Sequence, residues 1–215
     1  MRGAHATRAV VMLVGCCVGQ WAAAEPGQGQ AGQAAGPLAL VEFEPAKMPS
    51  GLVELCGRDA SFCAPAAAPV QVLALSTQRW QLLRSVNDGV NHRISSSTDR
   101  QLYGRDEYWT IPTTAGDCED YVLLKRQILL QSGFGPGQLL ITVVHDENGE
   151  AHAVLTVPSD QGDLVLDNRR DEVLHWWQTG YSFIKRQSEA NPAAWVALGS
   201  DKLQATNIAS GPGLP

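Results

Sequence analysis

The chain has 215 residues, 44% of them hydrophobic and 18% charged, which supports a globular domain with a buried core and excludes a wholly disordered chain. Its formal net charge is -6, and no lysine or arginine cluster stands outside the extreme N-terminus. It therefore offers no electrostatic footprint for phosphate backbones or anionic lipid, and nucleic acid is not an expected partner.

In chain order, residues 1–24 read as a secretion signal. Arg2 and Arg8 supply positive charge, the run from Ala9 to Val18 is apolar, and Ala22-Ala23-Ala24 offers small residues for cleavage before Glu25. The apolar run is too short to span a bilayer as a mature helix. Leu13-Val14-Gly15-Cys16 also resembles a lipidation signal, so lipid tethering through Cys16 competes with soluble export, which is favoured. Residues 25–37 are rich in Gly, Gln, Ala and Pro without apolar period and read as a disordered leader. One catalytic domain is expected over 38–203, followed by a flexible tail over 204–215.

Removal of the signal leaves Cys56, Cys63 and Cys118. In an oxidising compartment two thiols close in sequence tend to pair, and a Cys56–Cys63 disulfide would close the short polar loop between them and leave Cys118 over. That all three are small core residues is an equally weighted alternative on composition alone.

From Ser76 to about Ser95, Trp80, Leu83, Val86, Val90 and Ile94 recur at helical spacing with one interruption at Gly89, which predicts an amphipathic helix. A loop over Tyr103 to Thr114 leads into a second helix from about Asp117 to Gln131, stopped near Gly133. Its apolar residues cover most of the circumference, so it should be central and buried. Leu139 to Val144, the turn Asp146-Glu147-Asn148-Gly149, and Ala151 to Val157 predict a hairpin, and Leu164-Val165-Leu166 a further strand. Helices followed by at least three antiparallel strands make the fold class α+β. Beyond them, Trp176, Trp177, Tyr181, Phe183 and Trp195 read as core or edge packing.

Three residues carry candidate chemistry. Cys118 opens the buried helix, where free N–H groups and the helix dipole favour a thiolate. His152 shares one face of its strand with Val154 and Thr156, and Asp167 ends the next strand. Singly, each has a structural reading: a small buried residue, a core histidine, a turn residue. Together they make a nucleophile, a base and an orienter.

Gly116-Asp117-Cys118-Glu119-Asp120-Tyr121, Leu123-Leu124-Lys125-Arg126, Ala151-His152-Ala153-Val154-Leu155 and Leu166-Asp167-Asn168 resemble the bacterial transglutaminase-like cysteine proteases of the LapG type. Val86-Asn87, Val90-Asn91, Asp99, Tyr103-Gly104, the stretch from Asp106 to Pro112, Cys56 and Phe62-Cys63 are similar too, so the resemblance spans roughly residues 40 to 200. It implies a papain-like, transglutaminase-like core with a Cys-His-Asp triad at Cys118, His152 and Asp167. It further implies a periplasmic, calcium-dependent endopeptidase that cleaves the N-terminal region of a large surface adhesin to release a biofilm. An inner-membrane cyclic di-GMP receptor is the inhibitory partner it implies.

The acids agree with a calcium requirement. Asp117, Glu119 and Asp120 surround Cys118, and three carboxylates should raise its pKa unless a hard cation on their oxygens offsets the field. Helix capping is the alternative for these acids. Asp117 and Glu119 are the expected calcium ligands, with Asp120 a third candidate; side chains 117 and 119 cannot share a helical face, so both can bind only if Asp117 lies in the preceding loop. His92, His145 and His175 fit no ligand spacing with the cysteines and read as surface or structural, so zinc is not indicated. Two rival readings remain: a cell-wall peptidase acting on peptidoglycan stem peptides, and a non-catalytic calcium-dependent binding protein.

Overall fold

The computed structural model describes residues 39–64, 72–189, 191 and 193–199. The expected signal, leader and tail lie outside the described residues. Among the described residues no helix is long and apolar enough to cross a membrane.

Strand β1 (Glu42–Pro45) precedes helix α1 (Ser50–Arg58), whose last turn carries Cys56 into a disulfide with Cys63. Cys118 is the free cysteine among the described residues. Helix α2 (Thr77–Arg93) starts where the Ser76 hydroxyl accepts the Arg79 N–H at 3.3 Å. Leu83, Val86, Asn87 and Val90 form its buried stripe. As expected, one helix runs through Gly89, where the apolar spacing is interrupted and the glycine lies on the exposed side.

Strand β2 (Ser95–Ser96) and β3 (Ala115–Gly116) pair in parallel and bracket helix α3 (Asp99–Tyr103), which Thr98 caps. Helix α4 (Cys118–Gln131) follows at once. It is buried almost all round, including Lys125 and Arg126, and Gly133 takes a positive φ of 92° beyond its end.

The predicted hairpin is β4 (Leu140–His145) and β5 (Ala151–Val157). The Asp146 carboxylate accepts the Asn148 and Glu150 N–H groups at 2.9 Å each, and Gly149 supplies φ 81°. β6 (Leu164–Asp167) pairs with β5 as expected. The sheet extends beyond the three expected strands through β7 (Arg170–His175), β8 (Ser182–Gln187) and β9 (Trp195–Leu198). All seven strands pair antiparallel, in the order β1-β9-β8-β4-β5-β6-β7.

Both faces of the central strands are covered, which is why β4 to β6 read as nearly continuous apolar runs. Ile141, Ala153, Leu155, Leu164 and Leu166 join the helical layer, with Leu83, Val90, Leu123 and Leu129. Val144, Val154 and Val165 meet Trp176, Tyr181, Phe183, Leu40 and Leu198. The aromatics of the C-terminal region therefore pack as core, with Trp177 left exposed.

Arg186 on β8 is fully buried and ties distant segments together. Its guanidinium reaches Asp163 at 2.7 Å, Glu42 at 3.2 Å and Glu189 at 2.5 Å, and the Asp163 carboxylate also accepts the Leu40 N–H at 3.1 Å. Removing one partner from a buried cluster leaves charge without compensation. Arg186→Leu should therefore cost about 3–5 kcal/mol in urea unfolding, whereas a loss below about 1 kcal/mol would show the cluster to be solvated.

Candidate active site

Gly116 and Asp117 set where α4 begins. A Cβ on Gly116 would lie 2.6 Å from the Asp120 carboxylate, so only glycine lets this turn close onto the helix. Asp117 is the N-cap residue, with extended backbone at φ -106° and ψ -164°, outside the helix as the ligand reading requires. Its carboxylate makes no cap bond to α4 and instead accepts the Asp99 N–H at 3.1 Å. Asp120 does serve the helix end: its carboxylate takes the Asp117 backbone N–H, and the Thr110 N–H at 2.9 Å. Capping thus accounts for part of Asp120 and none of Asp117.

Cys118 is the first residue of α4, and its sulfur lies 3.4 Å from the Glu119 carboxylate. The backbone N–H of Ala153 also bonds to that sulfur, which docks the helix start onto the start of β5. Burial, and then the charge of Glu119, push the thiol well above its ordinary range, with Asp117 adding to the effect. Without a cation, these neighbours favour the protonated thiol over the thiolate.

His152, the second residue of β5, is buried, and its Nε2 lies 2.8 Å from Asp167 Oδ1. Burial raises the Asp167 carboxyl, but hydrogen bonds from His152, from the Tyr181 hydroxyl at 2.6 Å and from the Arg169 N–H at 3.0 Å outweigh it and hold it at about 2. An ionised carboxylate only accepts, so His152 Nε2 is the donor and Nδ1 is the nitrogen left over. Nδ1 is buried and has no hydrogen-bond partner among the described residues. Tyr181, which the sequence offered only as packing, is a second support for Asp167.

Cys118 and His152 line one cavity of about 310 Å³. Ala151 and Ala153 flank the histidine, and Met48, Ser50, Glu107, Trp109 and Lys185 complete the walls. Trp109 is held against α1, because Gly51 has no Cβ; one would fall 2.2 Å from the indole ring. Arg58 from the same helix donates to the Trp109 carbonyl at 2.5 Å. The disulfide thus closes the end of the helix that braces this wall.

Beside the sulfur, one carboxylate oxygen each from Asp99, Asp117 and Glu119 lie within 4.8 Å of one another. Two oxygens on one calcium ion, each about 2.3–2.6 Å away, stand at most about 5 Å apart, so this spacing suits a hard cation. Asp99 Oδ1, Asp117 Oδ1 and Asp120 Oδ2 are buried with no hydrogen-bond partner among the described residues. Burial and the Asp117 charge push Glu119 up to about 9; burial, together with Asp117 and Asp99, pushes Asp120 up to about 7. Burial likewise raises Asp99. Acids that resist ionising together, with orphaned oxygens, fit a divalent cation better than a purely structural cluster. Asp99 was no expected ligand; it stands 18 residues before Asp117 and arrives through the β2–β3 pairing.

His92 is exposed beside Asp88, and His175 stacks on Trp177; neither touches this cavity.

In chelator, Glu119→Gln should move the pH dependence of Cys118 alkylation by iodoacetamide to lower pH, by roughly one unit or more, because it removes a like charge beside the sulfur. An unmoved profile would show that burial alone holds the thiol neutral.

Residues 42–203 match the model of the family described as bacterial transglutaminase-like cysteine proteinase. Among solved structures, the chain is similar to Legionella pneumophila LapG at 26% identity, covering 60% of this chain and 74% of that one with a TM-score of 0.46. The EGTA-treated form gives 26% identity, 57% and 72% coverage and a TM-score of 0.46. The calcium-bound form gives 21% identity, 60% and 79% coverage and a TM-score of 0.46. No curated protein sequence matches the chain.

Proposed function

Because the chain belongs to the family of bacterial transglutaminase-like cysteine proteinases, we propose that Cys118, His152 and Asp167 form its catalytic triad in a calcium-dependent endopeptidase. The observation that carries this reading is the free Cys118 sulfur lining the same cavity as His152, whose Nε2 is bonded to Asp167.

The peptide carbonyl enters the cavity beside Cys118. His152 Nδ1 takes the thiol proton, and the sulfur bonds to the carbonyl carbon. The oxygen of the tetrahedral intermediate faces the Cys118 backbone N–H, one of the helix-start donors without an intrahelical partner. As the carbon–nitrogen bond breaks, the imidazolium gives its proton to the leaving amine. Water, deprotonated by the same nitrogen, then attacks the thioester, releasing a carboxylic acid and restoring the thiol. Asp167 keeps the tautomer and stabilises the imidazolium throughout, while Tyr181 steadies Asp167. A calcium ion held by Asp99, Asp117 and Glu119 would offset their field at the sulfur and favour its ionisation.

The substrate is the N-terminal region of a large surface adhesin, and its release would disperse a biofilm. The family resemblance also supplies the inner-membrane cyclic di-GMP receptor as the inhibitory partner. The periplasm is the proposed compartment, and the Cys56–Cys63 disulfide supports an oxidising one.

Purified protein incubated with an adhesin N-terminal fragment should cut it in calcium and fail to do so in chelator. Cys118→Ala should abolish cutting, and His152→Ala should lower kcat by roughly 10²–10⁴-fold. Full cleavage by Cys118→Ala would remove the protease reading. Cleavage of peptidoglycan stem peptides in chelator, with the adhesin fragment intact, would instead assign a cell-wall peptidase.

A further inference from the structure

Behind the cavity, α4, α2 and the β6–β7 turn are joined by side chains that the mechanism above does not use. Lys125 lies seven residues after Cys118 on α4, about 10 Å along the axis, and is fully buried. Its Nζ donates to Asn87 Oδ1 at 2.7 Å, and among the described residues no carboxylate lies at ion-pair distance from it. The Asn87 amide nitrogen donates to the carbonyls of Arg170 and Asp171 at 2.8 and 3.0 Å. One turn along α2, the Asn91 amide donates to the Asp167 carbonyl at 2.9 Å, to the Arg170 carbonyl at 3.0 Å and to the Asp171 carboxylate at 3.2 Å.

These bonds converge on one short turn. Asp167 pairs with Arg170 across it, and the same Asp167 holds the histidine ring through its side chain. The main chain of the orienting carboxylate is therefore gripped from α2 while its oxygens are gripped by His152, Tyr181 and the Arg169 N–H. Lys125 connects that grip to the helix whose first residue is the nucleophile. Burial lowers the Lys125 pKa to about 7, and a fully buried amine answered by a neutral amide is a poor device for stability alone.

We propose that Lys125, Asn87 and Asn91 are positioning residues that set the Asp167–His152 pair in register with Cys118. None of them touches substrate; they act by fixing where the Asp167 carboxylate stands, to the precision that acid–base transfer requires. The assignment rests on the triad reading, and its test separates the two.

Asn91 is only half-buried, so Asn91→Ala should fold; Lys125→Met provides the second variant. The substrate-independent readout is the low-field imidazole N–H proton of His152, observed by NMR together with its exchange with solvent. In both variants that proton should exchange roughly 10–100-fold faster than in the unsubstituted protein. On the adhesin fragment kcat should fall by a similar factor with KM unchanged, in protein that melts cooperatively. Unchanged proton exchange and unchanged kcat in Asn91→Ala would overturn the assignment. A loss of kcat only in proportion to lost folded protein would also overturn it. If the unsubstituted protein cuts nothing, the protease reading fails, while the proton exchange still decides whether these residues hold the pair.

Discussion

Everything at this site turns on where negative charge is allowed to sit. A cysteine nucleophile needs an ionised sulfur, yet Cys118 is half-buried with its sulfur 3.4 Å from a carboxylate and further acids around the same helix start. A helix N-terminus alone favours an anion by about 0.3–1 kcal/mol, a small term beside burial and several like charges. The buried oxygens that find no proton donor are the other half of the same conflict. A cation that resolves both would couple ionisation of the thiol to occupancy of the cluster, so that one ion decides whether the nucleophile exists.

The histidine side is built on the opposite principle. Asp167 is buried too, but it is surrounded by donors, and these outweigh the desolvation that drives Glu119 up. Two carboxyl groups of similar burial thus end far apart in acidity because one faces hydrogen-bond donors and the other faces like charge. The ionised member accepts from the histidine, and the reluctant members bring together orphaned oxygens that suit a cation. Chemical roles are assigned here by neighbours rather than by residue type.

Much of this was legible along the chain wherever one element carried the information. The apolar circumference of α4, the Asp146–Gly149 turn and the strand runs placed Cys118 at a helix start and His152 just past a hairpin. The spare cysteine followed from parity and from the closeness of Cys56 and Cys63. What stayed hidden depends on pairing between distant segments. Asp99 stands in the family resemblance without a role until the parallel β2–β3 contact brings it to Asp117. Tyr181 reads as one more core aromatic until β8 sits beside β4 and its hydroxyl meets Asp167. Gly89 costs about 1 kcal/mol in a helix, yet the buried stripe on either side carries the helix through it, as the apolar spacing indicated.

The disulfide between Cys56 and Cys63 has a practical corollary. By joining the other two cysteines of the described residues, it leaves Cys118 as the one free thiol there, and that thiol lines the cavity. For those residues, a thiol-directed fluorescent probe would tag one place only, so the extent of tagging would report how far this cavity admits a reagent to its sulfur.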